Sequence, residues 1–204
     1  MRVLELFAGT HSVGKVCNEL GHEVVSLDLK GADININILE WDYKKDYKPG
    51  DFDCIWSSPP CETFSLCRRC WIGRKLKHFG DEIVTAKMLD DDMEKNGLPI
   101  LRKTEEIINY FKPTRWVIEN PSTGKMKDYL KHLPHHDIDY CRYSDYGYKK
   151  PTRFWTNKEG FVPLKCNKNC GNMTGTKHNI KLDHVKGLHL RYRVPPSLIK
   201  ELLI

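Results

Sequence analysis

Cys61 follows a pair of prolines at the end of an apolar run. Residues 52–56 are aromatic, β-branched or cysteine apart from Asp53, which predicts a buried strand. Pro59 and Pro60 must end that strand, because proline lacks a backbone donor and has a fixed φ. Cys61 then begins a loop at the carboxyl end of a strand, where open α/β sheets bind ligands. A thiol there can act as a nucleophile if a neighbour lowers its pKa, although one cysteine alone is better explained as a small buried side chain.

Acidic residues end two further predicted strands. Residues 2–8 and 23–29 are predicted strands, separated by a turn at Gly9 and a helix, and Asp28 follows Gly9 by about 20 residues. This order is typical of a nucleotide-binding half-fold, in which the acid accepts hydrogen bonds from ribose hydroxyls. Residues 115–119 form another predicted strand, which ends in Glu119 and is stopped by Pro121. Three strand ends therefore present groups that could do chemistry.

The rest of the pattern predicts an α/β protein around these strands. Apolar spacing predicts a helix over residues 98–111, with Pro99 in its first turn, and the acidic residues 81–93 are predicted as another helix. Residues 33–41 are predicted as a turn leading into a short helix. Residues 136–143 and 152–156 are predicted strands, residues 195–203 are a predicted terminal helix, and residues 166–184 show no periodicity.

Composition indicates a folded protein without a membrane span. The chain has 204 residues, of which 40% are hydrophobic and 29% charged, and no apolar run approaches the roughly 20 residues that a membrane helix needs. Because no signal peptide precedes the first strand, a cytoplasmic location is expected. Eight cysteines in a reducing compartment indicate free thiols or a metal site rather than disulfides.

Positive charge is concentrated in one loop. The formal net charge is +6, and residues 66–80 contain only basic charges. This loop follows directly on Cys61, so its cations predict contact with phosphate groups. The candidates are Arg68, Arg69, Arg74 and Lys75.

Five segments, taken in order, resemble the cytosine-5 methyltransferase family, whose members act on DNA or tRNA. They are LELFAGTHSVG (4–14), SSPPCETFS (57–65), VIENP (117–121), YGYKKPTRFW (146–155) and RYRVPPSLIKELL (191–203). The chain is similar to a small DNA member that lacks a full target-recognition domain. The resemblance implies a doubly wound, Rossmann-like sheet that binds S-adenosylmethionine, with a very small C-terminal insert. Residues 1–157 would form the catalytic domain, 158–190 the insert, and 191–204 a helix returning to the catalytic domain.

The resemblance also implies roles for individual residues. The cofactor would contact Phe7, Gly9, Asp28, Asn37 and Pro60, with Asp28 on the ribose, Asn37 on the adenine amino group and Pro60 at the methionine end. Cys61 would add to carbon 6 of cytosine, and Glu119 would hydrogen-bond ring N3 and the exocyclic amine. Arg153 would hold the ring carbonyl. The target base must be flipped out or single-stranded, because these atoms are inaccessible in a duplex.

The sequence departs from the family pattern at four places, one of which is Pro121, where the family usually has valine after Glu-Asn. His11 stands where a second glycine is usual. The usual Gln-x-Arg-x-Arg reads Lys149-x-Pro151-x-Arg153, which loses one arginine. The segment 191–196 carries two arginines in place of a small neutral turn. They could bind nucleic-acid phosphate, or form a fork for an anionic derivative of the cofactor.

The insert is too short for a full target-recognition domain, but it contains candidate metal ligands. Cys166, Cys170, His178 and His184 could form a tetrahedral structural zinc site, with Cys67 and Cys70 as further candidates. The alternative is a polar loop with unpaired thiols. A segment this short can present few side chains to base edges, so any sequence preference should be short or degenerate.

Two classes of function fit these observations. The first is an enzyme that methylates cytosine in DNA. The second is a catalytically weak nucleic-acid-binding subunit that needs a partner for specificity, and the departures at His11 and Pro151 favour it. An enzyme acting on RNA is a third alternative, because phosphate contacts do not distinguish the polymers. A specificity partner or a homo-oligomer is compatible with all three.

Overall fold

The computed structural model describes residues 1–204 and is built on a seven-stranded sheet. The strands are β1 (Arg2–Leu6), β2 (Glu23–Asp28), β3 (Ile34–Asn35), β4 (Cys54–Ser57), β5 (Arg115–Pro121), β6 (His135–Asp139) and β7 (Pro151–Thr156). Their order across the sheet is β3-β2-β1-β4-β5-β7-β6. The strands β1 to β5 are parallel, whereas β7 runs antiparallel to both of its neighbours. The predicted doubly wound α/β sheet is confirmed.

Seven helices and a small hairpin complete the chain. The helices are α1 (Ser12–Glu19), α2 (Tyr43–Asp46), α3 (Ala86–Asp92), α4 (Leu98–Phe111), α5 (Met126–Tyr129), α6 (Leu188–Tyr192) and α7 (Pro196–Leu203). The hairpin consists of β8 (Met173–Thr174) and β9 (Lys177–His178) and lies in the insert. No helix combines the length and the apolar character needed to cross a membrane.

The two faces of the sheet bury separate apolar layers. On one face, Leu4 and Ile55 pack with the buried side chains of α4. On the other, Trp56 and Val117 pack with α1 and α7. Central parallel strands are covered on both faces, so their sequences read as nearly continuous apolar runs. The apolar face of α7 lies inside this second layer, against α1 and the sheet.

The segment 33–41 differs from its prediction as a turn and short helix. Asp33 accepts hydrogen bonds from the Ser26 backbone amide at 2.8 Å and from the Ser26 hydroxyl at 2.6 Å. These contacts hold the chain beside β2, where Ile34 and Asn35 form β3. Isoleucine occupies every second position from Ile34, which is the periodicity of a strand. The helix prediction was wrong because this alternation was overlooked.

The predicted helix over residues 81–93 begins later than expected. The Thr85 hydroxyl accepts a hydrogen bond from the Met88 amide and caps α3. A wide helical turn at Met93–Gly97 then joins α3 directly to α4. Gly97 is needed at this turn, because a Cβ there would overlap the Thr63 side chain. The turn therefore packs closely against the loop that carries Cys61.

Candidate active site

A cavity of about 720 Å³ opens at the carboxyl ends of β1, β4 and β5. Strand order reverses between β1 and β4, so the cavity lies at the topological switch point where doubly wound sheets bind ligands. Its size lies within the usual range for small-molecule sites. Six of the predicted site residues line it: Phe7, Gly9, Asp28, Pro60, Cys61 and Glu119.

One end of the cavity is shaped by the turn after β1. Phe7 and Gly9 both have positive φ, 60° and 46°. The Gly9 amide donates to Asp28 Oδ2 at 2.9 Å, and the Leu29 amide donates to Asp28 Oδ1 at 2.6 Å. Because each carboxylate oxygen has two lone pairs, both can accept one more hydrogen bond. Asp28 is therefore held rigidly with acceptor capacity left for two hydroxyl groups.

Asn37 lies outside this cavity. Its side-chain oxygen accepts a hydrogen bond from the Leu39 amide at 3.1 Å, within its own turn. The predicted contact between Asn37 and an adenine amino group is therefore not supported. Asn37 follows β3, and its side chain is held by a local hydrogen bond within that turn.

Glu5 is a cavity residue that the sequence analysis missed. It is buried in β1 and accepts hydrogen bonds from the Val13 and Gly14 amides at the start of α1. Burial raises the pKa of Glu5 to about 7, against the lowering effect of those two hydrogen bonds. A carboxylate facing free amides at a helix N-terminus replaces the capping side chain that α1 otherwise lacks. Glu5 could have been identified from the sequence, because it is an acidic residue within an otherwise apolar predicted strand.

His11 meets the backbone requirement of the glycine that it replaces. It adopts a left-handed conformation with φ of 53° and ψ of 35°. Its Nε2 lies 2.7 Å from the Gly31 carbonyl oxygen, and the residue does not line the cavity. The bulk of His11 is thus directed towards the turn after β2, and the ligand side of the loop stays open.

The loop carrying Cys61 is fixed by Asn120. The buried Asn120 side chain donates to the Pro59 carbonyl oxygen at 2.8 Å, while its own oxygen has no partner in the protein. Burial raises the pKa of the Cys61 thiol to about 11, with added effects of Glu62 and Glu119, while Lys150 acts in the opposite direction. Cys61 is therefore a protonated thiol at neutral pH when the cavity is empty of ligand.

Glu119 lies in the cavity between two buried partners. The Tyr140 hydroxyl donates to Glu119 Oε1 at 3.0 Å, and Lys150 Nζ lies 3.5 Å from the same oxygen. The Lys150 ammonium also lies 4.7 Å from the centre of the Tyr140 ring. The second carboxylate oxygen, Oε2, makes no hydrogen bond within the protein. One face of Glu119 is thus held in place while the other remains free for a ligand.

Arg153 does not lie in the cavity, contrary to its predicted role. In the strand register, Phe154 is directly opposite Glu119, so Arg153 points to the other face of the sheet. There it forms a bidentate ion pair with Asp137, at 2.6 and 2.9 Å. Lys150 is in phase with Thr152 and Phe154 and does line the cavity. The cation beside Glu119 is therefore Lys150, whereas the sequence prediction had given this role to Arg153, three residues later.

The basic loop is divided between a structural and an exposed part. Arg68 is 5% exposed, forms an ion pair with Asp92 and donates to the Thr63 carbonyl oxygen. Burial opposes ionisation of Asp92, but hydrogen bonds from Asn96 and Arg68 hold its pKa below the usual value. The predicted phosphate contact of Arg68 is wrong, because its guanidinium is used inside the protein. The other predicted cations of this loop, Arg69, Arg74 and Lys75, are exposed.

Three of the four predicted metal ligands come together with a residue that was not predicted. Cys166, Cys170 and His178 form a cluster with Cys141, and their ligand atoms lie within 4.8 Å of one another. His184 is an error in the predicted set, because it is exposed and lies beside Asp183. Cys67 and Cys70 are exposed on the basic loop. Cys141 follows β6 and lies 25 residues before Cys166, so local spacing could not identify it.

The segment after the insert covers part of the cavity. Tyr192 lines the cavity, and its hydroxyl donates to Glu62 at 3.3 Å. Arg191 donates to the carbonyl oxygens of Val185 and Asp183, while Arg193 stacks on the ring of Tyr146 at 3.4 Å. Both guanidinium groups are therefore engaged within the protein, and they do not form a fork for an anionic ligand.

A viral protein is similar to this chain along its whole length. A curated protein of Frog virus 3 (isolate Goorha), named probable DNA (cytosine-5)-methyltransferase, is 47% identical over 218 aligned positions. The match covers 100% of this chain and 99% of that protein. This chain belongs to the DNA (cytosine-5)-methyltransferase family. The resemblance stated from the five sequence segments is confirmed.

Solved structures of other methyltransferases are more distantly similar to this chain. A Spodoptera frugiperda DNMT2 mutant superimposes with a TM-score of 0.47 and 16% identity over 82% of this chain and 55% of its own. The Entamoeba histolytica methyltransferase EhMeth gives a TM-score of 0.47 and 13% identity over 81% of this chain and 56% of its own. This chain spans about half the length of these solved structures. No family model matches it.

Proposed function

We propose that this protein transfers a methyl group from S-adenosylmethionine to carbon 5 of cytosine in DNA through a covalent adduct on Cys61. The observation that carries the proposal is one cavity lined by Cys61, Glu119 and Lys150 at one end and by Phe7 and Asp28 at the other. The named activity of the Frog virus 3 relative supports DNA as the substrate. A short or degenerate sequence preference is part of the proposal.

The empty acceptors in the cavity fit the proposed cofactor. Asp28 has lone pairs for two ribose hydroxyls, and the Phe7 ring offers an apolar surface for adenine. Asn120 also lines the cavity, and its buried side-chain oxygen has no hydrogen-bond partner in the protein. When bound, S-adenosylmethionine would supply the electrophilic methyl group.

Covalent catalysis by Cys61 makes carbon 5 reactive. Addition of the thiolate at carbon 6 turns the ring into an enamine-like nucleophile, which can take the methyl group at carbon 5. Water in the site then takes the proton from carbon 5, and the bond between carbon 6 and sulfur breaks, which releases the Cys61 thiolate and restores the aromatic ring. Glu119 lines the cavity and would accept a hydrogen bond from the exocyclic amine through the oxygen that Tyr140 leaves free. A hydrogen bond to N3 needs a proton on the carboxyl group, because N3 of neutral cytosine is an acceptor, and this proton would pass towards N3 as the thiolate adds.

Lys150 takes the role that the sequence analysis gave to Arg153. Its ammonium lies beside Glu119 and favours ionisation of Cys61. A cation there can also bind the ring carbonyl, where negative charge develops during thiolate addition. Lysine is a compact point charge, so it can serve both purposes without the planar geometry of an arginine.

Labelled methyl transfer tests the proposal and its alternatives together. The protein is incubated with labelled S-adenosylmethionine and duplex DNA, single-stranded DNA or tRNA, and the product nucleosides are separated. We expect 5-methylcytosine from DNA. Transfer to tRNA alone would favour the RNA enzyme, and binding without transfer to any polymer would favour the nucleic-acid-binding subunit.

Cys61→Ser should abolish transfer and leave the fold intact, because a hydroxyl is a far poorer nucleophile than a thiolate. DNA containing 5-fluorocytosine should trap the wild-type protein in a covalent complex, visible by intact-mass spectrometry. The exposed Cys67→Ser is the matched control and should retain both activities. Normal transfer by Cys61→Ser would exclude the covalent mechanism.

A further inference from the structure

The insert has almost no apolar core of its own. Among residues 158–190, the buried apolar side chains other than cysteine are Phe161 and Val185. The hairpin β8–β9 has two residues in each strand. A segment with so little buried apolar area needs a further source of stability, such as a metal or a disulfide.

Three buried thiols and one imidazole meet where the insert contacts the catalytic domain. Cys141, Cys166 and Cys170 are 3%, 7% and 8% exposed. His178 Nε2 lies 3.5 Å from the Cys166 sulfur and 3.4 Å from the Cys170 sulfur. Ligand bonds of about 2.3 Å to sulfur and 2.0 Å to nitrogen give tetrahedral edges of about 3.5–3.8 Å. The two sulfur–nitrogen distances match such an edge.

The backbone around these four residues is already fixed. The Cys166 amide donates to Asp139 at 2.8 Å, which anchors the insert to the end of β6. The Asn172 side chain donates to the carbonyl oxygens of Cys141 and Ser144, and accepts from the Gly147 amide. These hydrogen bonds position ligands from both parts of the chain before any metal binds.

We propose that Cys141, Cys166, Cys170 and His178 form a structural zinc site that fastens the insert to the catalytic domain. The metal displaces the thiol protons and completes four-coordination, which leaves no open position for a substrate. Thiolate and imidazole ligands in a tetrahedral arrangement favour zinc over magnesium or calcium. The site would stabilise the segment whose residues Leu182 and Asp183 line the cavity.

Metal analysis of the full-length protein tests the site without reference to methyl transfer. Protein purified without chelators should contain about one zinc per chain, and X-ray absorption should show three sulfur ligands and one nitrogen ligand. Cys141→Ser should lose most of the zinc. His184→Ala and Cys67→Ser are matched controls and should retain it, because both side chains are exposed away from the cluster.

Cobalt titration keeps the test valid if a cysteine variant fails to fold. The reduced, metal-free wild-type protein should bind one Co²⁺ with the strong thiolate absorption of a tetrahedral site. Removal of the metal should speed hydrogen exchange of residues 139–147 and 166–185 while β1 and β4 remain protected. A wild-type protein that takes up neither metal, or a Cys141→Ser variant that retains zinc while His184→Ala loses it, would overturn the proposal.

Discussion

The Cys61 thiol lies among two carboxylates and one ammonium group. Burial is the main reason that its pKa rises to about 11, and Glu62 and Glu119 raise it further while Lys150 lowers it. The Cys61 thiol is therefore largely protonated at neutral pH. In the proposed reaction, the balance between Glu119 and Lys150 sets how readily the thiolate forms.

Alkylation of Cys61 by iodoacetamide should show this balance. We expect the rate at Cys61 to rise only at alkaline pH, because burial raises the pKa of its thiol to about 11. The exposed Cys67 in the same protein serves as the internal comparison. Lys150→Gln should move the midpoint for Cys61 higher and Glu119→Gln should move it lower. Peptide mass spectrometry measures both cysteines at once. Equal rates for Cys61 and Cys67 at neutral pH would contradict the assigned environment.

The sequence predicted those site residues that end a strand. Each of them stands at the end of an apolar run that a proline or a turn closes: Cys61, Glu119 and Asp28. Because the carboxyl ends of parallel strands lie at the same edge of a sheet, these three residues were expected to lie near one another. Lys150, the residue before β7, was missed because the register between β5 and β7 decides which side chains of this segment face the cavity. Cys141 was missed because its partners lie in a different part of the chain.

The start of α1 is an element whose stability depends on one buried acid. Glu5 accepts hydrogen bonds from the Val13 and Gly14 amides at the start of this helix. The contact is close, because a Cβ at position 14 would lie 2.8 Å from Glu5 Oε2. Because burial raises its pKa to about 7 in the folded state, from 4.5 as the ordinary value, the folded protein binds a proton that the unfolded chain releases. The resulting contribution is fully present below about pH 4.5 and is lost as pH rises through 7.

Glu5→Gln should remove this pH dependence. Between pH 4.5 and 7.5, the free energy of unfolding of the wild type should fall relative to the variant by up to roughly 3 kcal/mol, at about 1.4 kcal/mol per pKa unit. Urea denaturation at several pH values measures the difference. Glu19→Gln, on the exposed side of the same helix, is the control. Parallel stability curves for wild type and Glu5→Gln would disprove the assignment.

The basic loop contains arginines of opposite character. Arg68→Ala should destabilise the protein by about 3–5 kcal/mol, because it leaves Asp92 buried without its partner. Arg69→Ala, a change at the exposed neighbour, should alter stability by less than about 0.5 kcal/mol. Thermal or urea denaturation distinguishes the two. Similar stabilities for both variants would mean that the ion pair with Asp92 is dispensable.

At the scale of the whole molecule, affinity for DNA and recognition of sequence have different sources. The loop 66–80, which follows Cys61 in the chain, carries exposed cations. The insert carries six lysines and only two acidic residues. Phosphate contacts of this kind give affinity without sequence information. The short insert offers few side chains for base edges, so specificity has to come from very few contacts.

Methylation should therefore occur at a very short motif, of about one or two defined bases around the cytosine. Bisulfite sequencing of a methylated plasmid measures the motif directly. Replacing Arg69, Arg74 and Lys75 by alanine should weaken binding to all sequences equally and flatten the salt dependence by about one unit per lost contact. A motif of four or more defined bases would mean that the insert reads sequence after all.

The overall architecture was more predictable than its details. The helix α4 was predicted at its observed bounds, because its apolar spacing and Pro99 are local signals. The strand β3 and the late start of α3 were missed although both had local signals, the alternating isoleucines from Ile34 and the capping hydroxyl of Thr85. By contrast, the strand register that decides which side chains face the cavity depends on contacts between distant residues.

Helix α7 leaves the ribosome long after β1, yet the two share one apolar layer. Leu198, Ile199 and Leu202 are fully buried in the same cluster as Val3 and Val13. A nascent chain that stops before Pro196 already contains every residue of the cavity, but leaves that side of β1 and α1 exposed to water. Nonsense mutations in the codons of α7 would therefore inactivate the gene product as fully as the loss of Cys61 does, through failed maturation and not through missing chemistry.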